Sequence, residues 1–243
     1  MARQDITLLG LRIDNLTMDE ALDRLMGAAS GTAPVRAAFV NADCVNLARR
    51  QPAYRDALRR ADLVFADGSG LRLAGRWLGR TVRDNVNGTD LFPRLCERLD
   101  GTPLRLFLYG AAPGVADGVA AWVRARHAHV IISGTLDGFS GTAADAANAI
   151  RDAGADLVLV ALGAPRQDLW LREYLSATGA ALGVGVGGLF DFYSGRIPRA
   201  PRWLRAIGCE WTYRLWCEPR RLWRRYLIGN VTFMWSVWTK QSV

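Results

Sequence analysis

The sequence predicts an α/β fold, a Rossmann-like, largely parallel sheet with flanking helices and a basic, aromatic helical appendage at the C-terminal end. Three observations carry this. Short apolar runs alternate with helix-patterned segments along most of the chain, which argues for βαβ winding. Several runs are apolar throughout, as strands covered on both faces are. The last fifty or so residues differ from the rest in charge and tryptophan content. With 243 residues, half of them hydrophobic and 22% charged, the chain is long enough to bury a sizeable core.

In order, the strand candidates are 36–41, 63–66, 104–109, 130–133, 157–162 and 181–186, and the helix candidates are 44–60 (with a break at Pro52), 89–99, 114–126, 143–153 and 167–177. Ligands in such folds sit at the carboxyl ends of the strands, and three of those ends draw attention. LFLYGAAPG, 106–114, runs a strand into a Gly/Pro turn and a helix, so Gly110 and Gly114 are candidates for a loop that aims backbone N–H groups at a phosphate; a tight βα turn needing glycine explains them equally well. GVGVGGLFDF, 183–192, ends a strand on Gly187 and Gly188 and leads to Asp191. It is not GxGxxG with an acidic residue about 20 positions on, so a nicotinamide or flavin site is not supported. ADLVFADGSG, 61–70, places Asp67 after a buried-type strand and before two glycines, the place of a catalytic carboxylate or of an ordinary turn residue.

The longest charge-free run, 174–190, is shorter than a spanning helix needs and holds five glycines. No basic n-region followed by an apolar stretch opens the chain, and the expected address is cytoplasmic. Four cysteines and two histidines show no zinc spacing, so reduced thiols and no metal site are expected. No DxD occurs either, leaving glycine-loop N–H groups and arginine to offset any phosphate charge.

Residues 1–191 hold 21 basic and 21 acidic side chains, whereas 192–243 hold ten basic against Glu210 and Glu218, together with six of the nine tryptophans. This divides the chain into a body, 1–195, and an appendage, 196–243. In RRLWRRYL, at about 100° per residue, Arg220, Arg221, Arg224 and Arg225 share an arc of about 140°, opposite Leu222, Trp223, Tyr226 and Leu227. Upstream, Trp203, Ile207, Trp211 and Leu215 form a second apolar stripe. Such faces suit an anionic membrane surface, and packing on the body is the alternative; the two are compatible. Nucleic-acid binding by the tail fits less well, because the body is neutral and the faces are segregated, so no nucleic-acid partner is expected.

Seven segments, in order, resemble the WecG/TagA/CpsF family of bacterial glycosyltransferases (glycosyltransferase family 26): NADCVNLARR at 41–50, LRRADLVFADGSG at 58–70, NGTDL at 87–91, LFLYGAAPG at 106–114, ALGAPRQDLW at 161–170, GVGGLFDFYSGRIPRAPRWL at 185–204 and EWTYRLWCEPRRLWRRYL at 210–227. The resemblance implies inverting transfer of a sugar from a UDP-sugar donor to a lipid-linked saccharide acceptor on polyprenyl diphosphate, in cell-surface or exopolysaccharide synthesis, by an enzyme peripheral on the inner leaflet of the cytoplasmic membrane. It implies Asp67 as general base, Asn41 as a contact to acceptor or donor sugar, and Gln167 as a hydrogen-bonding partner of sugar or phosphate. Arg214, Arg221 and Arg224 are the tail's candidates for the diphosphate. Two positions depart from the pattern. Phe39 stands where a threonine is common, and Asn85 where an arginine is common; Arg83, two residues earlier, shares a face with it in an extended segment. A homo-oligomer stays open. A non-catalytic nucleotide-binding scaffold would keep the glycine loops and need no Asp67.

Overall fold

Residues 5–201, 204 and 210–239 are described by the computed structural model, without the side chains of Arg221 and Arg225. The strands are β1 (Asp5–Leu8), β2 (Leu11–Asp14), β3 (Val35–Val40), β4 (Leu63–Ala66), β5 (Arg105–Gly110), β6 (Ile131–Leu136), β7 (Leu157–Ala161) and β8 (Leu182–Gly185). The helices are α1 (Met18–Ala29), α2 (Ala42–Arg50), α3 (Pro52–Arg59), α4 (Ser69–Trp77), α5 (Gly88–Leu99), α6 (Val115–Arg126), α7 (Ala143–Asp152), α8 (Arg166–Thr178), α9 (Leu189–Tyr193), α10 (Glu210–Cys217), α11 (Pro219–Trp223) and α12 (Gly229–Trp238), with a π-helical turn, Arg224–Ile228, joining the last two.

Strands β3 to β8 form one parallel sheet in the order β4-β3-β8-β7-β5-β6, a Rossmann-like α/β fold as the alternating pattern predicts. Alternate residues of each strand face opposite layers. Phe39, Phe65, Leu108, Leu159 and Val184 pack with α1, α5, α6 and α9, while Val40, Val64 and Ala66 pack with α2, α3 and α4, and Tyr109, Val158 and Val160 pack with α7 and α8. Burial on both faces is why β4, β7 and β8 read as unbroken apolar runs.

Several elements differ from the sequence expectation. The helix expected over 44–60 starts two residues earlier, at Ala42, and breaks at Pro52 as expected: it is two helices parted at Gln51, with Pro52 at the first position of the second, where its missing N–H costs nothing. Strand 130–133 continues to Leu136, and Gly134 admits the ring of Phe107 where a side chain would collide. Not foreseen are the β1–β2 hairpin, α1 and α4. The hairpin turns on Leu9 and Gly10, both at positive φ, the form that suits strand twist. It covers the sheet edge: Asp14 accepts the Val64 N–H at 2.7 Å and Arg12 donates to the Ala61 carbonyl at 2.8 Å. Helix α1 opens with a reciprocal capping box between Thr17 and Glu20.

The tail helices lie against the body. Backbone angles stay helical from α11 through the π turn into α12. Leu222, Phe233, Ser236 and Val237 are buried, whereas Trp223, Leu227, Ile228, Val231, Trp235 and Trp238 are exposed. The expected single apolar face opposite the arginines is therefore divided: Leu222 turns inward, but Trp223 and Leu227 are exposed with Arg220 and Arg224. Trp203 and Ile207 lie outside the described residues. Cys44, Cys96 and Cys217 are free thiols. Among the described residues no helix is long and apolar enough to cross a membrane.

Candidate active site

Two cavities meet at the carboxyl edge of the sheet. One, of about 580 Å³, is walled by the loops after β5, β7 and β8: Ala111 and Ala112, Leu162 to Gln167, and Val186 to Leu189. The other, of about 360 Å³, lies between the start of α4, residues 85–90 and the tail helices. Asn41, Asp43, Asp67, Thr89, Phe192 and Arg214 border both.

Asp67 sits directly after β4, half-buried, with its N–H bonded to the Val40 carbonyl at 2.8 Å. The next N–H, of Gly68, donates to Asn85 Oδ1 at 2.6 Å, and Gly68 takes φ +94°, which lets the chain turn sharply into α4. Asn85 thus fixes the loop that carries the carboxylate. Asn41 caps α2, its Oδ1 accepting from the N–H groups of Asp43 and Cys44, each at 3.1 Å. A cap of this kind satisfies helix N–H groups that otherwise lack partners, and it holds Asn41 at the seam of the two cavities.

On the larger cavity's side, buried Gln167 accepts the Gly187 N–H through Oε1 at 2.8 Å, and a side chain at Gly185 would strike its amide. Gly187 and Gly188 line the cavity with Asp191, whose Oδ1 lies 3.6 Å from the Arg196 guanidinium. Arg214 reaches back from α10 over the Phe192 ring, 4.9 Å from its centre, and packs where a side chain at Gly188 would be. Its buried Nε has no hydrogen-bond partner among the described residues, a costly state for a guanidinium group unless an anion completes it. Arg166, Arg196 and Arg214 all face this cavity, a cationic wall fit for phosphate oxygens.

Other sequence candidates fall elsewhere. Gly110 takes φ +116°, and a Cβ there would lie 2.6 Å from the Ala161 carbonyl carbon; Gly114 is the left-handed residue before α6. Neither borders either of these two cavities, and the loop they shape presents Ala111 and Ala112 to the larger one instead. Arg83 is turned toward α1, bonding Glu20 at 2.6 and 3.1 Å and the Asn15 carbonyl at 3.3 Å. The Thr17 N–H and that guanidinium hold the Glu20 carboxyl below its usual range. Arg83 borders neither cavity and so does not stand in for an arginine at Asn85. Arg224 is exposed, its guanidinium 5.2 Å from the Trp223 ring centre, and also borders neither; the side chain of Arg221 lies outside the described residues.

Sequence reasoning missed a tie between body and tail. Arg199 bonds Asp90 and lies 3.7 Å from Glu210, and both acids border the smaller cavity with Trp211, Tyr226 and Asn230. Among the described residues no cluster of three or more metal-ligating side chains occurs.

Two concave lobes that share two carboxylates, Asp43 and Asp67, at a sheet's carboxyl edge are the ligand-binding arrangement of an open α/β enzyme. The chain belongs to the glycosyl transferase WecG/TagA/CpsF family, whose model matches residues 6–242. It is similar to the N-acetylglucosaminyldiphosphoundecaprenol N-acetyl-beta-D-mannosaminyltransferase of Bacillus spizizenii (strain ATCC 23059 / NRRL B-14472 / W23), with 34% identity over 180 residues, 74% of this chain and 70% of that one. A protein of the same description from Bacillus subtilis (strain 168) is 32% identical over 206 residues, 85% of this chain and 77% of that one.

Proposed function

We propose that the protein transfers an N-acetylhexosamine, of the N-acetylmannosamine type, from a UDP-sugar to a saccharide carried on a polyprenyl diphosphate, with inversion and without a metal. The observation that carries this reading is the position of Asp67 on the seam between the two cavities. The relatives' descriptions name an N-acetylglucosaminyl diphosphoundecaprenol acceptor and an N-acetylmannosaminyl group transferred, which supports the same substrate classes here.

In this mechanism the donor occupies the larger cavity, with its diphosphate against the Gly187–Gly188 loop and Arg214. The acceptor's sugar enters the smaller cavity. Asp67 takes the proton of the acceptor hydroxyl as that oxygen attacks the anomeric carbon, and the bond from that carbon to the diphosphate oxygen breaks on the opposite face. The UDP leaves with the bonding electron pair, its charge met by guanidinium and backbone N–H groups. Asn41 orients sugar at the seam, and Gln167 keeps the Gly187 loop in place. The protein works on the cytoplasmic face of the membrane, held there in part by the exposed tryptophans of its tail.

Asp67→Asn preserves shape and removes the proton acceptor, so turnover falls about 10²- to 10⁴-fold while donor binding survives. A panel of UDP-sugars with a short-chain diphospho-N-acetylglucosamine acceptor, read by product mass, measures both. Turnover near wild type by folded Asp67→Asn overturns the base assignment; donor binding without transfer by the wild type favours the scaffold reading.

A further inference from the structure

The appendage is not the only basic, apolar segment. Residues 68–83 contain four arginines, at 72, 76, 80 and 83, and no acid, although the body as a whole is neutral. Helix α4 within this stretch buries Leu71, Ala74 and Gly75 against the hairpin and α2. It is pinned at Gly75, whose carbonyl accepts the Arg80 N–H at 2.7 Å. What remains outward is Arg72, Leu73, Arg76 and Trp77, the last 59% exposed. Such a mixture on one short helix face is costly in water for its apolar members and has the composition of an interfacial helix.

Its neighbour is α12. The Phe233 ring lies 3.8 Å from where a Cβ of Gly70 would be, and α12 turns its own exposed Val231, Trp235 and Trp238 outward. Leu73 of α4 and Met234 of α12 both border the smaller cavity. That cavity therefore opens between two helices that each present large apolar side chains, one of them flanked by arginines. Aliphatic groups such as Leu73 and Val231 offer a nucleic acid nothing to stack on, whereas a bilayer interface takes aliphatic, indole and guanidinium groups together.

We infer that α4 is a second membrane-contacting helix, which inserts Leu73 and Trp77 beside the tail and sets Arg72 and Arg76 against anionic lipid headgroups, so that the acceptor cavity opens onto the bilayer between α4 and α12. This rests on the acceptor being lipid-linked, but its test does not. An environment-sensitive fluorophore is attached to the full-length chain through Trp77→Cys, through Trp235→Cys, and through Arg124→Cys on α6 as reference, each in a Cys209→Ser, Cys217→Ser background. The probe is acceptor-free vesicles of phosphatidylcholine and phosphatidylglycerol. Labels at 77 and 235 are expected to shift to the blue and to be quenched by spin-labelled lipid, while the label at 124 stays water-like. A label at 77 that stays water-like while 235 inserts overturns the inference, as does silence at both. Independently, Arg72→Gln with Arg76→Gln weakens vesicle binding about 25-fold, about fivefold for each arginine; unchanged binding by the folded double variant also overturns it. Since these vesicles hold no substrate, insertion is read whether or not the proposed transfer reaction is correct.

Discussion

Replacing Phe233 by alanine removes the side chain that seats the last helix on the body. The ring is 1% exposed and belongs to the cluster of Val40, Cys44, Val45, Leu71 and Ala74. Excision of a buried phenylalanine costs about 3–5 kcal/mol. Two polar ties remain, Asn46 Nδ2 to the Gly229 carbonyl at 2.7 Å and Arg49 to the Ser236 hydroxyl, each worth about 1 kcal/mol net, so they do not replace it. The loss falls on docking of α12, a local opening rather than global unfolding. Amide hydrogen exchange is the assay: protection over 229–238 drops about 10²- to 10⁴-fold, while β7 and β8 exchange as in the wild type. Turnover falls with it, because Asn230, Phe233 and Met234 wall the smaller cavity. Unchanged protection of 229–238 in Phe233→Ala would refute the reasoning.

Asp168, buried next to Gln167 in the chain and with one carboxylate oxygen that has no hydrogen-bond partner among the described residues, has its pKa raised to about 7 by burial. The folded state keeps this proton after the unfolded state has released it, so stability falls as pH rises from about 4 to about 7. Asp168→Asn removes about 2–3 kcal/mol of that decline between about pH 5 and pH 8, read from urea midpoints; parallel pH profiles for wild type and variant would contradict this. Gly110→Ala must fit a Cβ 2.6 Å from a backbone carbonyl carbon at φ +116° and costs about 2–4 kcal/mol, seen as a lower melting temperature; an unmoved melting temperature counts against the contact. In the proposed mechanism transfer persists in excess EDTA, because arginines face the larger cavity; activity lost to chelation and restored by magnesium or manganese would show that they do not suffice.

The central strands were legible because both faces of the sheet are covered, leaving no polar alternation to dilute the runs. Asp67 and Asp191 were legible for a related reason: each follows a strand closely, where an open sheet gathers its cavity, whereas Asn41 and Gln167 were singled out by the family resemblance alone. The hairpin was not, since its strands are four residues each and its turn is Leu9–Gly10 rather than Asn-Gly. Helix α1 carried a readable sign in Thr17 and Glu20 that went unused, and missing it also concealed the partner that draws Arg83 away from Asn85. Glycines 68 and 70 obscure the start of α4 in the sequence. The Asp90–Arg199–Glu210 tie joins positions more than a hundred residues apart in the chain, a distance over which local pattern says nothing.

The π turn at Arg224–Ile228 bears on how the tail tolerates change in length. One residue inserted into an ordinary helix advances everything beyond it by about 100°, but a π turn takes up such a residue locally and leaves the turns beyond it, with buried Phe233, in nearly their former phase. A substitution there alters one contact. Removing one residue from the turn would tighten it to ordinary α-helical spacing and leave Phe233 near Gly70, whereas removing one from α12 ahead of Phe233 would carry the ring away by about 100°. Length is therefore held more strictly in α12 ahead of Phe233 than in the wide turn before it.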